Sequence, residues 1–141
     1  LIIHGTNPVY SLPNGEAFKS ALSKVDLSVS FSDVADETAS ACKVIAPSSH
    51  YMESWSDANP RTGYFTLGQP VISPLGSTRE ALESILKWSG NPSTAHDYIA
   101  KVWETTLYPS SGDIAGFTSF WNKTLNTGLL TKATQAPAAT V

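Results

Sequence analysis

The side chains of this chain that are equipped for chemistry fall in a few places. His50, Glu53, Asp57 and Arg61 lie close together in sequence. An imidazole beside carboxylates is the material of a metal site or of acid–base catalysis. Their spacing is not that of a helical metal motif, because no second His follows, and a solvated polar loop is the plainer reading. Asp33, Asp36 and Glu37 crowd the expected start of a short helix. Acidic residues there complement the helix dipole, and they bind a cation or a ligand hydroxyl when one lies nearby. Gly5-Thr6-Asn7-Pro8 follows the apolar run Leu1–Ile3. A loop leaving a strand end is where α/β folds bind ligands. It lacks the glycines of a dinucleotide fingerprint and the Lys of a P-loop, and Asn and Pro also favour turns for steric reasons.

The remaining reactive groups are isolated. Cys42 is the one cysteine. It cannot form an internal disulfide or, alone, hold zinc or a cluster, and it reads as a small buried thiol. His4 at a strand end reads as a structural histidine. No G-x-S-x-G is present to build a nucleophile elbow. Trp55 stands in a loop-like stretch, either packed down on the core or presented to a partner.

Elements must position these groups. Leu1–His4 reads as a buried strand, and Asn14 as the N-cap of a helix whose stripe is Ala17, Phe18, Ala21, Leu22 and Val25. Leu27–Phe31 alternates and reads as a second strand. Ser32-Asp33 is expected to cap a short helix through Ala41, and Lys43–Ala46 forms a third strand. Strand–helix–strand–helix–strand at this spacing implies right-handed crossovers and a parallel sheet. Ser48–Gly63 reads as loop. Tyr64–Ile72 reads as extended, with Gly68 and Pro70 placing it at a sheet edge or outside the sheet. The later half reads as helical. Ser77 with Glu80 has the pattern of a capping box, Thr94 with Asp97 echoes it, and a last helix around Phe117–Leu125 ends near Gly128. Residues 131–141 read as a tail or linker, and 1–130 as a single domain.

Composition bounds the rest. With 141 residues, 41% hydrophobic and 15% charged, the chain is globular in type. A net charge of -3 and the lack of any Lys/Arg cluster argue against nucleic acid. No segment approaches the roughly 20 apolar residues that span a bilayer. Because it opens inside an apolar run and without Met, the chain is expected to be a fragment of a larger protein.

Several stretches together resemble one family. HGTNPVYSLPN (His4–Asn14), DETASACKVIAP (Asp36–Pro47), SHYMESWSD (Ser49–Asp57) and GQPVISPL (Gly68–Leu75) occur in an order similar to that of the molybdopterin oxidoreductases of the dimethyl-sulfoxide- and polysulfide-reductase type. ESILKWSGN (Glu83–Asn91), YIAKVWE (Tyr98–Glu104) and FTSFWNKTLNTG (Phe117–Gly128) resemble the molybdopterin-like iron–sulfur subunits of bacterial alternative complex III, the quinol:cytochrome c oxidoreductase. Two positions depart from the family pattern: Cys42-Lys43 stands for its Ala-Asp, and Ala46 for its Leu.

The resemblance implies a Rossmann-like three-layer α/β domain with a short, mainly parallel sheet followed by a helical C-terminal half. It implies that Gly5, Asn7 and Pro8, with Glu37 and Thr38, face the nucleotide end of a molybdopterin guanine dinucleotide in the parent protein, or keep the shape of such an inherited site. No catalytic or metal-binding residue is expected here, and the isolated chain is expected to hold no cofactor and to be inactive. Iron–sulfur clusters are expected elsewhere in the parent. The implied role is a non-catalytic domain of a respiratory electron-transfer subunit, on the periplasmic side of a bacterial envelope. Its implied partners are other domains and subunits of a membrane-bound complex. Three other readings stay open: a cofactor-enclosing domain of an active polysulfide- or thiosulfate-type reductase, a protein-interaction module using Trp55, and a stand-alone small-molecule enzyme using His50 and Glu53.

Overall fold

The computed structural model describes residues 1–132. The tail expected over 131–141 lies, from residue 133 on, outside the described residues. The chain is mixed α/β, with a small parallel sheet and helices in its C-terminal half. It forms two compact units. Leu1–His50 with Ser73–Pro92 makes the first, and Tyr51–Ile72 with the chain from Ser93 onward makes the second.

The first unit is built on three short parallel strands in the order β1 (Ile2–Ile3), β2 (Val29–Ser30) and β3 (Val44–Ile45). Ile2 stands beside Val29 and Val29 beside Val44, with Ile3, Ser30 and Ile45 in the next row. The sequence Leu27–Phe31 alternates polar and apolar, yet Ser28 and Ser30 are as buried as Val29 and Phe31. A parallel strand covered on both faces buries both of its rows. The two serines are tolerated there because each hydroxyl accepts a backbone N–H, Ser28 from Lys43 at 2.9 Å and Ser30 from Ser32 at 3.2 Å.

Helices α1 (Pro8–Ser11) and α2 (Gly15–Leu22) connect β1 to β2, and α3 (Glu37–Ala41) connects β2 to β3. The short α1 falls where the sequence suggested a turn, with Pro8 at a first-turn position that needs no N–H. Asn14 does occupy the N-cap of α2 but gives it no side-chain bond. Gly15 is buried against α1, and a Cβ there would overlap the Val9 carbonyl oxygen. Asp36, not Ser32 or Asp33, caps α3, its Oδ1 accepting the Ala39 N–H at 2.7 Å.

Helix α4 (Ala81–Trp88) starts with Glu80 at its N-cap, three residues later than the Ser77 box suggests. The Arg79 N–H instead donates to the Pro47 carbonyl at 3.2 Å, tying this stretch to the chain just past β3. Leu86 is buried, while Trp88 is half-exposed and stacks on Phe31 with centroids 5.5 Å apart.

In the second unit, β4 (Ser56–Arg61) and β5 (Tyr64–Gly68) form an antiparallel hairpin, and β6 (Leu129–Thr131) pairs with the other side of β5. Two expectations are corrected here. Ser48–Gly63 is not all loop, because it contains β4. Every residue of β4 is exposed, so no apolar period marks it in the sequence. Tyr64–Gly68 is also not an edge but the middle strand. Gly68 is its last residue and Pro70 lies past it, so neither interrupts the ladder.

Helix α5 (Ala95–Val102) is capped as expected, Thr94 Oγ1 accepting the Asp97 N–H at 3.1 Å. It runs on into a π-helical turn, Trp103–Leu107, and a 3-10 turn, Tyr108–Ser110. Helix α6 (Phe117–Thr127) ends at Gly128, whose φ of 69° is the left-handed conformation that glycine adopts without a Cβ penalty. Leu67, Ile99, Trp103, Leu107, Phe120 and Trp121 form the core of this unit.

Candidate functional site

The site lies in the first unit, where the chain leaves the carboxyl ends of its parallel strands. Asn7 is the N-cap of α1, but its side chain does not cap that helix. It reaches instead to the start of α3. Its Nδ2 donates to Glu37 Oε2 at 2.7 Å. Its Oδ1 accepts from the Thr38 hydroxyl at 2.6 Å and from the Thr38 N–H at 3.3 Å. The Thr38 oxygen in turn accepts the Val9 N–H at 2.9 Å. Thr38 is almost wholly buried, so the bonds to its hydroxyl and N–H satisfy groups that water scarcely reaches, while the Asn7–Glu37 bond is exposed. The amide of Asn7, more than any other influence, holds the exposed Glu37 carboxyl below the usual range, and its own backbone bond adds to this.

A cavity of about 440 Å³ opens beside this knot. His4, Gly5, Asn7, Ser30, Asp33 and Asp36 are among its lining residues. It sits past the ends of β1 and β2, the place where parallel sheets bind ligands. Asp36 is committed, its second oxygen accepting from the Ser32 hydroxyl at 3.1 Å. Asp33 has no hydrogen-bond partner among the described residues and is exposed. His4 meets Phe31 edge to face at 5.9 Å. No Lys or Arg lines this cavity. A second cavity, of about 430 Å³, touches Glu37 on another side, with Glu16 and Lys19 at its rim.

Of the five residues the sequence singled out, then, Gly5 and Asn7 line the strand-end cavity, and Pro8 begins α1. Glu37 and Thr38 begin α3 and join Asn7 by hydrogen bonds. Ser30 and Asp36 were not among them. The signal for Ser30 was a polar residue in a strand flanked by connecting helices on both sides. That for Asp36 was Asp three residues before Ala39, the spacing of an N-cap bond.

The other candidates are placed apart. Asp57 lies on β4 and accepts the Trp103 indole N–H at 2.8 Å. Arg61 covers the Tyr64 ring at 5.2 Å. Glu53 is buried in a 3-10 turn, and His50 is an exposed residue of the first unit. Trp55 is half-buried, 4.6 Å from the His96 ring and 6.2 Å from that of Trp121. Cys42 closes α3 half-buried, and burial pushes its thiol up. No group of three His, Cys, Asp or Glu among the described residues is placed to hold a metal ion.

The hydroxyl- and carboxylate-lined cavity thus stands at the ends of the parallel strands. No family model matches the sequence. The chain is 35% identical, over 94 residues and 64% of its length, to the menaquinone reductase, molybdopterin-binding-like subunit of Nitratidesulfovibrio vulgaris. The match supports a relationship to molybdopterin oxidoreductase-related proteins. It spans 14% of that subunit's length.

Proposed function

We propose that this chain is a non-catalytic domain of a molybdopterin-binding-like subunit in a quinone-linked respiratory electron-transfer complex. The observation that carries the proposal is the 35% identity to the menaquinone reductase subunit. The order of motifs adds the narrower reading of a subunit of the alternative-complex-III type, with iron–sulfur clusters elsewhere in the parent and the remaining subunits as partners. No helix among the described residues is long and apolar enough to cross a membrane. Association with the membrane, on the periplasmic side, would then come through those other subunits.

The candidate residues support the non-catalytic part of this reading. A pterin guanine dinucleotide carries an anionic pyrophosphate, which asks for cations, free backbone N–H groups or a helix N-terminus. The strand-end cavity offers carboxylates and hydroxyls, with no Lys or Arg in its lining. The polar groups of Asn7 and Thr38 that would meet a ligand are bonded to each other and to Glu37 and Val9. Those residues offer no cationic side chain to the charged part of such a cofactor. In this reading Gly5, Asn7, Pro8, Glu37 and Thr38 keep the shape of a cofactor-facing corner and serve as a structural fastening.

The test is elemental and pterin analysis of the purified parent protein. The expected result is molybdenum far below one atom per subunit. Stoichiometric molybdenum would restore the reading as a cofactor-enclosing domain of an active reductase.

A further inference from the structure

The parallel sheet of the first unit is covered unequally. Alternate residues of a strand point to opposite faces. One face carries Ile3, Ser28 and Ser30, and all three are buried. The other carries the row Leu27, Val29 and Phe31, with Ile2 and Val44 standing beside Val29 on the neighbouring strands. Along that row Phe31 and Val29 are 2% and 7% exposed, but Leu27 is 58% exposed. The gradient has a cause in α4, whose Trp88 stacks on Phe31 and so covers the row at its carboxyl end only.

Beyond Trp88 the face is bare. Ile2 is 49% exposed, Val44 43% and Trp88 itself 53%. A cavity of about 410 Å³ opens there, lined by Leu1, Ile2, Leu27, Val29 and Trp88. All five are apolar in type, unlike the hydroxyl- and carboxylate-lined cavity at the strand ends. Apolar side chains scattered singly over a surface need no explanation, but these converge on one hollow. Parallel sheets are built with helices over both faces, and here one face is only half covered.

We infer that this hollow receives the apolar stripe of a further helix of the same subunit, lying on the sheet beside α4. The absence of any charged side chain from the lining selects an apolar occupant, and a helix is the element that covers a parallel sheet. Length argues that the helix belongs to the same chain. The match spans 14% of the related subunit, so most of a chain of that size lies outside these residues. A tethered segment meets the face at a high effective concentration, without needing the affinity of a separate partner. The inference rests on reading the chain as one domain of a longer subunit, and it stands whether or not the parent carries molybdenum.

The experiment is photo-crosslinking in the purified parent protein, with a benzophenone side chain placed at Leu27 and, separately, at Ile2. Mass spectrometry should find both products within the same subunit, outside the 141 residues, on apolar residues three, four or seven apart. Products on another subunit, on a second copy of the chain, on the second unit of this domain or on a segment without that spacing would overturn the inference, as would no product at all. Leu27→Lys gives a second readout. In the parent it should raise amide exchange in β1 and β2 by about 10-fold or more, because a charge then enters a covered apolar face. Unchanged exchange would count equally against the inference. The mass of the untreated parent tests the underlying reading by itself: a protein no longer than this chain would sink that reading, whereas misplaced crosslinks in a long one sink only the covering helix.

Discussion

In the first unit each strand is two residues long, and directional polar bonds fix the helix starts and the strand approaches. Asn7 joins Thr38, Asp36 joins Ala39 and Ser28 joins Lys43. In the second unit the corresponding work falls to rings. Trp103 lies against Phe120 and Trp121 at 6.4 and 6.0 Å, and Phe117 contacts both Phe120 and Trp121. A buried ring removes about 150–250 Å² from water, whatever its partner. A hydrogen bond contributes only about 0.5–1.5 kcal/mol net but fixes direction. The loops of the first unit are thus held largely by direction, and the core of the second largely by ring area.

Substitutions can break or sharpen this contrast. The largest effect is expected for Trp103→Ala, which empties the ring core and leaves Asp57 without its indole donor. The loss should be about 3–5 kcal/mol. Hydrogen exchange should show it in second-unit amides, and an equal loss of protection in the first unit would dissolve the contrast. Asn7→Ala comes next. It leaves the buried Thr38 hydroxyl and N–H short of an acceptor, at a cost of about 1–3 kcal/mol, read as lost protection in α3 and around Val9.

The smallest effect is one of pH. Glu37 is held below the ordinary carboxylate value of 4.5. Its contribution to stability is therefore present above that value and fades as the pH falls through the lower, folded one. Carboxyl NMR should find Glu37 titrating low in the natural chain and higher in Asn7→Ala, where the amide's contribution is gone and its own backbone bond remains. Asp97 in the second unit is lowered too, chiefly by its bond to His96 and then by Thr94. Asn7→Ala should leave Asp97 unmoved.

The same contrast explains what could be read in the sequence. Short apolar runs between helical stripes marked β1, β2 and β3, and Thr94–Asp97 and Gly128 marked helix ends by local chemistry. Strand β4 left no trace because the stretch Ser56–Arg61 is held by backbone pairing and buries none of its side chains. The central position of β5 depended on β6, about 60 residues later, a long-range pairing that no local pattern encodes. Asn7, Glu37 and Thr38 could be picked out as a group. Their bonding to one another could not, since spacing places a residue on an element without saying where its donor points.

The division into units has a consequence for synthesis. The first unit draws on residues up to Pro92, and the second takes Tyr51–Ile72 from between the first unit's two segments. On the ribosome, β5 therefore emerges with one side paired to β4 and the other bare until Leu129–Thr131 follow. At about 5–20 residues per second that wait lasts roughly 3–12 s. For that time the nascent chain presents an open strand edge, the kind of surface on which chains pair wrongly.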